Sequence, residues 1–349
     1  MELKIGLIGC GTVGQGFLEI LDSKSDYLGD QFDFEPIVVA VCDKLKGTIL
    51  LPEGIDIKKL LQILNEGRKI DEYLEGKTNQ AEGMETLEII EECDADIFAE
   101  LTYTDIQTAE PATSYIKKAL RTGKHVVTSN KGPAALYYRE LNKLAKENHL
   151  FFRIEGTVMS GTPLFSLFEN GLAGNKIKEI KGILNGTTNF ILSKMEEENM
   201  DYRDALKLAQ KLGYAEADPT ADVEGYDALA KITILSNVFL EGNIKPSDAE
   251  REGITSISKK KVLAAKEENY RYKLIASTKK ENGQIVASVS PQKLPISDPL
   301  AGVMGANNAL TFELDLLGKV TIQGPGAGKI ETGYSILTDM LAIHRHLSK

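Results

Sequence analysis

Between Gly213 and Lys231 the chain reads GYAEADPTADVEGYDALAK, which gathers Glu216, Asp218, Asp222, Glu224, Asp227 and Lys231 into one short stretch. Carboxylates beside an amine are groups that can move protons. Pro219 separates a helical run ending near Leu212 from another opening near Asp222, a residue suited to cap it. In that second helix Asp227 and Lys231 stand four apart and share a face, with Lys231 facing outward. Ala228, Ile232, Leu235 and Phe239 supply the apolar stripe. Spacing alone describes an exposed ion pair after an acidic loop, with Asp218 structural as the residue before Pro219.

A second constellation lies at the N-terminus. The apolar run 3–8 leads directly into Gly9-Cys10-Gly11-Thr12-Val13-Gly14, and 15–21 is compatible with a helix. In a dinucleotide-binding unit Gly9 makes the tight turn and Gly11 lets the backbone approach the pyrophosphate. Gly14 allows close helix–strand packing, and the helix N-terminus faces the phosphates. Gly9, Gly11, Thr12, Val13 and Gly14 are therefore candidate cofactor residues. The strand 36–42 ends in Asp43, placed to accept hydrogen bonds from the ribose of NAD and to repel a 2′-phosphate. Lys44 and Lys46 follow and offset much of that repulsion. Both NAD and NADP are expected to bind, with a modest preference for NAD.

These residues need a frame. Alternating segments supply it: strands at 96–101, 125–129 and 151–155, and helices at 108–121 and 134–148, read as a doubly wound, Rossmann-type parallel sheet. A polar insertion, 46–85, reads as irregular apart from an amphipathic piece at 57–64. The second part changes character. A strand at 176–184 precedes helices at 188–197, 202–212 and 222–240, and strands at 271–279, 284–290, 309–314 and 318–323 follow. They read as an α+β domain with a mixed or antiparallel sheet, buried on one face. The run Gly324-Pro325-Gly326-Ala327-Gly328 opens a terminal helix, 332–347, expected to return to the first domain. The class is thus α/β, with one domain over 1–155 completed by 325–349 and a second over 156–324.

Composition agrees with a soluble cytoplasmic enzyme. A chain of 349 residues has room for two cores. A net charge of −10 argues against a nucleic-acid or anionic-membrane partner. No apolar run has the length of a membrane span, and the first residues enter a strand at once, without a signal peptide. Cys10, Cys42 and Cys93 lack metal-ligand spacing and read as reduced thiols.

Several further runs carry a resemblance. They are Thr128-Ser129-Asn130-Lys131, Glu155-Gly156-Thr157-Val158-Met159-Ser160-Gly161-Thr162-Pro163, Gly182-Ile183-Leu184-Asn185-Gly186-Thr187-Thr188-Asn189-Phe190, and Pro299-Leu300-Ala301-Gly302-Val303 through Gly328. With the glycine loop and the acidic stretch they resemble homoserine dehydrogenase nearly end to end. The resemblance implies a Rossmann-type domain, a mixed-sheet substrate domain and a sheet segment that pairs subunits. It also implies NAD(P)-dependent interconversion of L-homoserine and L-aspartate 4-semialdehyde, in the threonine, methionine and isoleucine branch of amino-acid biosynthesis. Members often carry a Gly-Gly pair where this chain has Glu100-Leu101-Thr102-Tyr103-Thr104. Neither a regulatory extension nor a fused kinase is expected, so neither is feedback through such a module.

Oxidising a primary alcohol requires a group that takes the hydroxyl proton as hydride leaves carbon. His125, His149, His344 and His346 lie in no promising constellation, which leaves Lys131 and Lys231. Lys131 follows a strand, at the carboxyl end of the sheet where ligands bind in this architecture. The resemblance makes Lys231 the proton-transferring residue, oriented by Asp227, with Lys131 beside substrate and nicotinamide. It gives the substrate ammonium to Glu216, places Asp222 near the reacting hydroxyl, and leaves the substrate carboxylate to Gly186 and Thr187. Thr102 and Gly326 join the cofactor residues. Glu155, Val158, Ser160 and Thr162 match a monovalent-cation loop that takes sodium through one carboxylate and three carbonyls. A homodimer formed through the strands after Arg271 is implied as well.

Two rival functions fit the residues less well. Aspartate-semialdehyde dehydrogenase chemistry needs a nucleophilic cysteine, and Cys93 sits in an acidic run that would raise its pKa. A non-catalytic nucleotide sensor needs a DNA- or partner-binding element, which the acidic composition does not offer.

Overall fold

The computed structural model describes residues 2–74 and 79–348. Its contacts divide the chain into two compact units: one runs to Ser166 and resumes at Gly328, and the other is Leu167–Ala327. The expected boundaries were 155/156 and 324/325. Residues up to 166 stay with the first unit because the Glu155 carboxylate accepts the Leu164, Phe165 and Ser166 amides at 2.6, 3.0 and 2.7 Å.

The first unit is built from β1 (Leu3–Ile8), α1 (Thr12–Ser23), α2 (Ser25–Phe32), β2 (Pro36–Asp43), β3 (Gly47–Leu50), α3 (Ile57–Asn65), α4 (Thr86–Glu92), β4 (Ile97–Glu100), α5 (Ala112–Arg121), β5 (His125–Thr128), α6 (Lys131–Glu147) and β6 (Phe152–Arg153). The sheet order is β3-β2-β1-β4-β5-β6. All its pairs are parallel except β2 with β3. Strands buried on both faces explain the continuous Ile, Val and Leu runs. The C-terminal helix, Lys329–Leu347, packs on α1 in this unit. Glycines make that approach possible: a Cβ on Gly333 would lie 2.6 Å from the Phe17 amide nitrogen.

The insertion 46–85 is more regular than its composition suggests. Residues 47–50 form β3, antiparallel to β2, and α3 covers the amphipathic piece. Polar side chains do work there that hydropathy does not register: Asn79 bonds Thr48 O at 2.8 Å and Asp71 accepts the Thr48 amide at 3.0 Å. Residues 75–78 lie outside the described part.

The second unit continues from α7 (Phe165–Asn170), inside which the division falls. It comprises β7 (Ile177–Ile183), α8 (Gly186–Glu197), α9 (Tyr202–Lys211), α10 (Thr220–Val223), α11 (Tyr226–Phe239), β8 (Glu250–Arg251), α12 (Lys259–Glu267), β9 (Tyr270–Glu281), β10 (Gln284–Pro295), β11 (Asn307–Leu314) and β12 (Gly318–Pro325). Its sheet, β12-β11-β7-β9-β10-β8, is antiparallel apart from β10 with β8. Helices α8, α11 and α12 pack against its strands.

One helix boundary differs from expectation with a consequence for the site. Asp222 does not cap α11. It ends up inside the short α10, and α11 begins after Gly225, which takes a left-handed φ of 82°. That turn frees the Asp222 carboxylate for a partner elsewhere. No helix among the described residues is long and apolar enough to cross a membrane.

Candidate active site

In the first unit the carboxyl ends of the parallel strands carry the candidate cofactor residues. Gly9 follows β1 with φ of 96° and donates its amide to Cys42 O at 2.7 Å. A Cβ there would stand 2.5 Å from Leu101 O, so only glycine lets the turn approach the chain leaving β4. Around Gly11 the space is open, and it stands at the start of α1 without a side-chain cap. The first amides of α1 therefore face a region where an anion can be received.

Asp43, at the end of β2, is deeply engaged. Its Oδ2 accepts the Cys10 amide at 2.7 Å, and its Oδ1 accepts the Leu45 and Lys46 amides, each at 3.0 Å. The Lys46 ammonium donates to Cys10 O at 2.5 Å, which puts a cation on the glycine loop. After β4, buried Glu100 accepts the Thr102 amide at 2.9 Å and the Thr128 hydroxyl at 3.0 Å, and also takes the Thr102 hydroxyl. Burial raises its carboxyl above the usual range, while the hydrogen bonds from Thr102 oppose the shift. Asn130 caps α6 through the Gly132 amide at 3.1 Å and holds Tyr103 O at 3.1 Å. Lys131 is the first residue of that helix. Glu100 and Asn130 thus organise Thr102 and Lys131, a role sequence reading did not assign them.

Glu155, Val158, Ser160 and Thr162 are all buried and belong to one turn, with Met159 and Ser160 at φ of 60° and 53°. Glu155 Oε1 takes two amides and Oε2 one. A carboxylate has about four lone-pair sites, so capacity remains on Oε2 for one hard ligand.

In the second unit a buried cluster forms where β7 meets α8. The Lys231 ammonium donates to Asp227 Oδ2 and to Leu184 O, both at 2.7 Å. The exposed ion pair of the sequence reading is thereby corrected: Lys231 is 7% exposed. Leu184 at the end of β7 draws the amine inward by offering an acceptor. Asn185 caps α8 by accepting the Thr188 amide at 2.9 Å. Its Nδ2 donates to Asp222 Oδ1 at 2.6 Å and to Asp227 Oδ2 at 3.0 Å. One amide thus ties both carboxylates together. Burial pushes the Asp222 carboxyl up, the Asn185 hydrogen bond opposes it, and the Asp227 charge adds to the rise. In the sequence Asn185 stands inside a motif, and the signal of its capping role is an Asn directly before a helix-opening Gly-Thr.

Thr187 donates its hydroxyl to Tyr214 O at 2.7 Å, linking α8 to the acidic stretch. Gly186 opens α8. Glu216 is exposed, and its carbonyl accepts from Gln210 Nε2 at 3.1 Å. Asp218 Oδ1 accepts the Thr220 amide at 3.1 Å and its hydroxyl at 2.6 Å, a local bond across Pro219. Gly326 packs against the Asn308 side chain.

A model described as homoserine dehydrogenase matches residues 163–341, and one described as homoserine dehydrogenase, NAD binding domain, matches 9–155. The chain belongs to the homoserine dehydrogenase family.

Among relatives, an NAD(+)-dependent homoserine dehydrogenase from Pseudomonas canavaninivorans is 41% identical over 349 residues, covering 100% of this chain and 98% of its own. A homoserine dehydrogenase from Methanocaldococcus jannaschii is 40% identical, with 99% and 100% covered. A hyperthermophilic archaeal homoserine dehydrogenase solved in complex with NADPH superposes with a TM-score of 0.81 at 33% identity, covering 100% of this chain and 99% of its own. As a homoserine dehydrogenase family member the chain is an NAD(P)-dependent oxidoreductase. The thiols fit this and not an acyl-transfer rival. Burial, more than the neighbouring acids, pushes Cys93 up to about 11, and it takes Cys10 and Cys42 to about 12.

Proposed function

We propose that the Lys231–Asp227 pair carries proton transfer in the interconversion of L-homoserine and L-aspartate 4-semialdehyde. The observation behind it is a buried amine held by Asp227 and Leu184 O, with Asn185 tying Asp227 to Asp222. A bound nicotinamide dinucleotide supplies the hydride chemistry. In the reductive direction Lys231 donates a proton to the aldehyde oxygen as the alcohol forms. In the oxidative direction Lys231 takes the hydroxyl proton, and Asp227 fixes its position. Asp222 sits near the reacting hydroxyl, Gly186 and Thr187 receive the substrate carboxylate, and Glu216 pairs with its ammonium. Lys131 serves substrate and cofactor at the end of β5.

Gly9, Gly11, Thr12, Val13, Gly14, Asp43, Thr102 and Gly326 hold the dinucleotide in this reading. NAD and NADP both bind, with a modest preference for NAD: Asp43 favours the ribose diol, and the Lys46 ammonium beside Cys10 O tempers the repulsion of a 2′-phosphate. Sodium is held by Glu155 with the carbonyls of Val158, Ser160 and Thr162; the spare capacity of Glu155 Oε2 supports this. The enzyme acts in the cytoplasm, a reducing compartment that suits three free cysteines. It pairs as a homodimer through the strands after Arg271, where Val286, Ile296, Leu316 and Leu317 are exposed. A monomeric mass by light scattering at micromolar concentration would contradict the last point.

The deciding experiment is nicotinamide absorbance with L-homoserine and NAD or NADP, for wild type and Lys231→Ala. Wild type should turn over, and the variant should lose at least about a hundredfold in kcat with dinucleotide affinity unchanged. A variant keeping more than about a tenth of kcat removes Lys231 from proton transfer.

A further inference from the structure

One buried cation in the second unit has no part in the chemistry above. Lys273, on β9, is 1% exposed. Its ammonium donates to Val303 O at 2.5 Å and Asn189 Oδ1 at 2.9 Å, and lies 3.4 Å from Met304 Sδ. All three neighbours are neutral. The nearby carboxylate of Glu196 is bonded instead to Arg271, at 2.8 Å. Burial therefore dominates over the Glu196 and Glu197 charges and lowers the amine to about 8, with Arg271 adding to the fall. A methionine would fill the same volume without the cost of desolvating a charge. What the ammonium adds is a grip on one loop.

That loop, 303–306, joins the turn Pro299–Gly302 to β11. Asn189 of α8, itself bonded to Lys273, grips the same loop, donating Nδ2 to Val303 O at 3.1 Å and Gly305 O at 2.9 Å. Ser193 Oγ accepts the Gly305 amide at 3.1 Å. The next residue, Ala306, lies against the start of α8: a Cβ on Gly186 would stand 2.6 Å from Ala306 O. A continuous line of contacts thus runs from the Lys273 ammonium through the loop to Gly186. We propose that Lys273 is a positioning residue for substrate binding, fixing the 303–306 loop against the N-terminus of α8 so that Gly186 and Thr187 are set to receive the substrate carboxylate. It rests on the reading that these two residues form the carboxylate site.

The test is Lys273→Met, of similar length and without a donor, with Lys273→Gln retaining a shorter donor. The measured quantity is the ratio of kcat/KM for L-homoserine over L-homoserine amide, which lacks the carboxylate. In Lys273→Met the KM for homoserine should rise about tenfold or more, and the ratio should fall by a similar factor. The dinucleotide Kd, from fluorescence titration, should stay put. Lys273→Gln should recover part of the ratio. A merely structural lysine would lower Tm and the active fraction and leave the ratio where it was, which overturns the proposal. Thr187→Val in parallel separates the two ideas: a ratio that collapses there but not in Lys273→Met refutes positioning alone, and one unchanged in both variants refutes positioning and also removes the Thr187 hydroxyl from the carboxylate site. If neither Lys273 variant folds, the lysine serves the fold and the proposal falls.

Discussion

Replacing Asn185 by alanine removes two things at once, and a second substitution separates them. The Asn185 Oδ1 caps α8 through the Thr188 amide at 2.9 Å, while Nδ2 bridges Asp222 and Asp227 at 2.6 and 3.0 Å. Loss of an Asn cap costs about 1 kcal/mol, which lowers Tm by roughly 1–2 °C in a chain of 349 residues. Loss of a hydrogen bond to a charged group costs about 1.5–3 kcal/mol. If that bond aims Asp227 at the Lys231 amine, kcat/KM falls by about 10- to 150-fold. Serine caps as well as asparagine, but its hydroxyl is too short to span both carboxylates. Asn185→Ser should therefore keep wild-type Tm and lose the same activity as Asn185→Ala. The assays are thermal melting by circular dichroism and initial rates from nicotinamide absorbance. An Asn185→Ser enzyme within about threefold of wild-type kcat/KM would refute the bridging role, because the bond would then contribute less than about 1 kcal/mol.

Other outcomes follow from the same geometry. Glu216→Gln should raise KM for homoserine with little change in kcat, since the exposed carboxylate pairs with the substrate ammonium; an unchanged KM removes it from that site. Lys46→Ala should shift the kcat/KM ratio toward NAD by about tenfold, by deleting the cation beside the glycine loop. Asp43→Ser should shift the ratio toward NADP but also raise KM for both cofactors, because the carboxylate holds three backbone amides of the loop and turn; unchanged KM values would show these bonds to be dispensable. Asp339 should make stability fall as pH rises. Burial raises its carboxyl from an ordinary 3.8 to about 7, overcoming Arg153. Between those values the folded protein keeps a proton that the unfolded chain has released, so stability drops through that window by at most about 1.4 kcal/mol per pH unit. Asp339→Asn should flatten this slope in denaturant titrations from pH 4 to 7, and a slope unchanged in the variant counts against the buried acid as its source.

The sequence by itself determined what is local and periodic. The run from Leu3 to Gly14 declares a strand, a glycine turn and a helix start because each needs only its neighbours' backbone geometry. Gly9 takes its positive φ, and α1 opens at Thr12. Strand–helix alternation likewise foretold a parallel sheet, and the acidic stretch with Asn-Gly-Thr-Thr-Asn carried the family. What the sequence could not express was which polar atoms meet across the chain. Lys231 looks exposed in an i,i+4 pair, yet it is buried with a second acceptor beside Asp227, the carbonyl of Leu184, 47 residues away. Asp222 is as good a cap as any by type, yet Gly225 starts the helix and Asn185 claims the carboxylate. The insertion 46–85 hides β3 because its two buried apolar residues, Ile49 and Leu50, are too few to show a period, and the bonds from Asp71 and Asn79 come from outside the strand. Hydropathy and spacing register the preferences of single residues along the chain. A buried charge is decided by the acceptors that surround it, and those arrive only when distant segments pack.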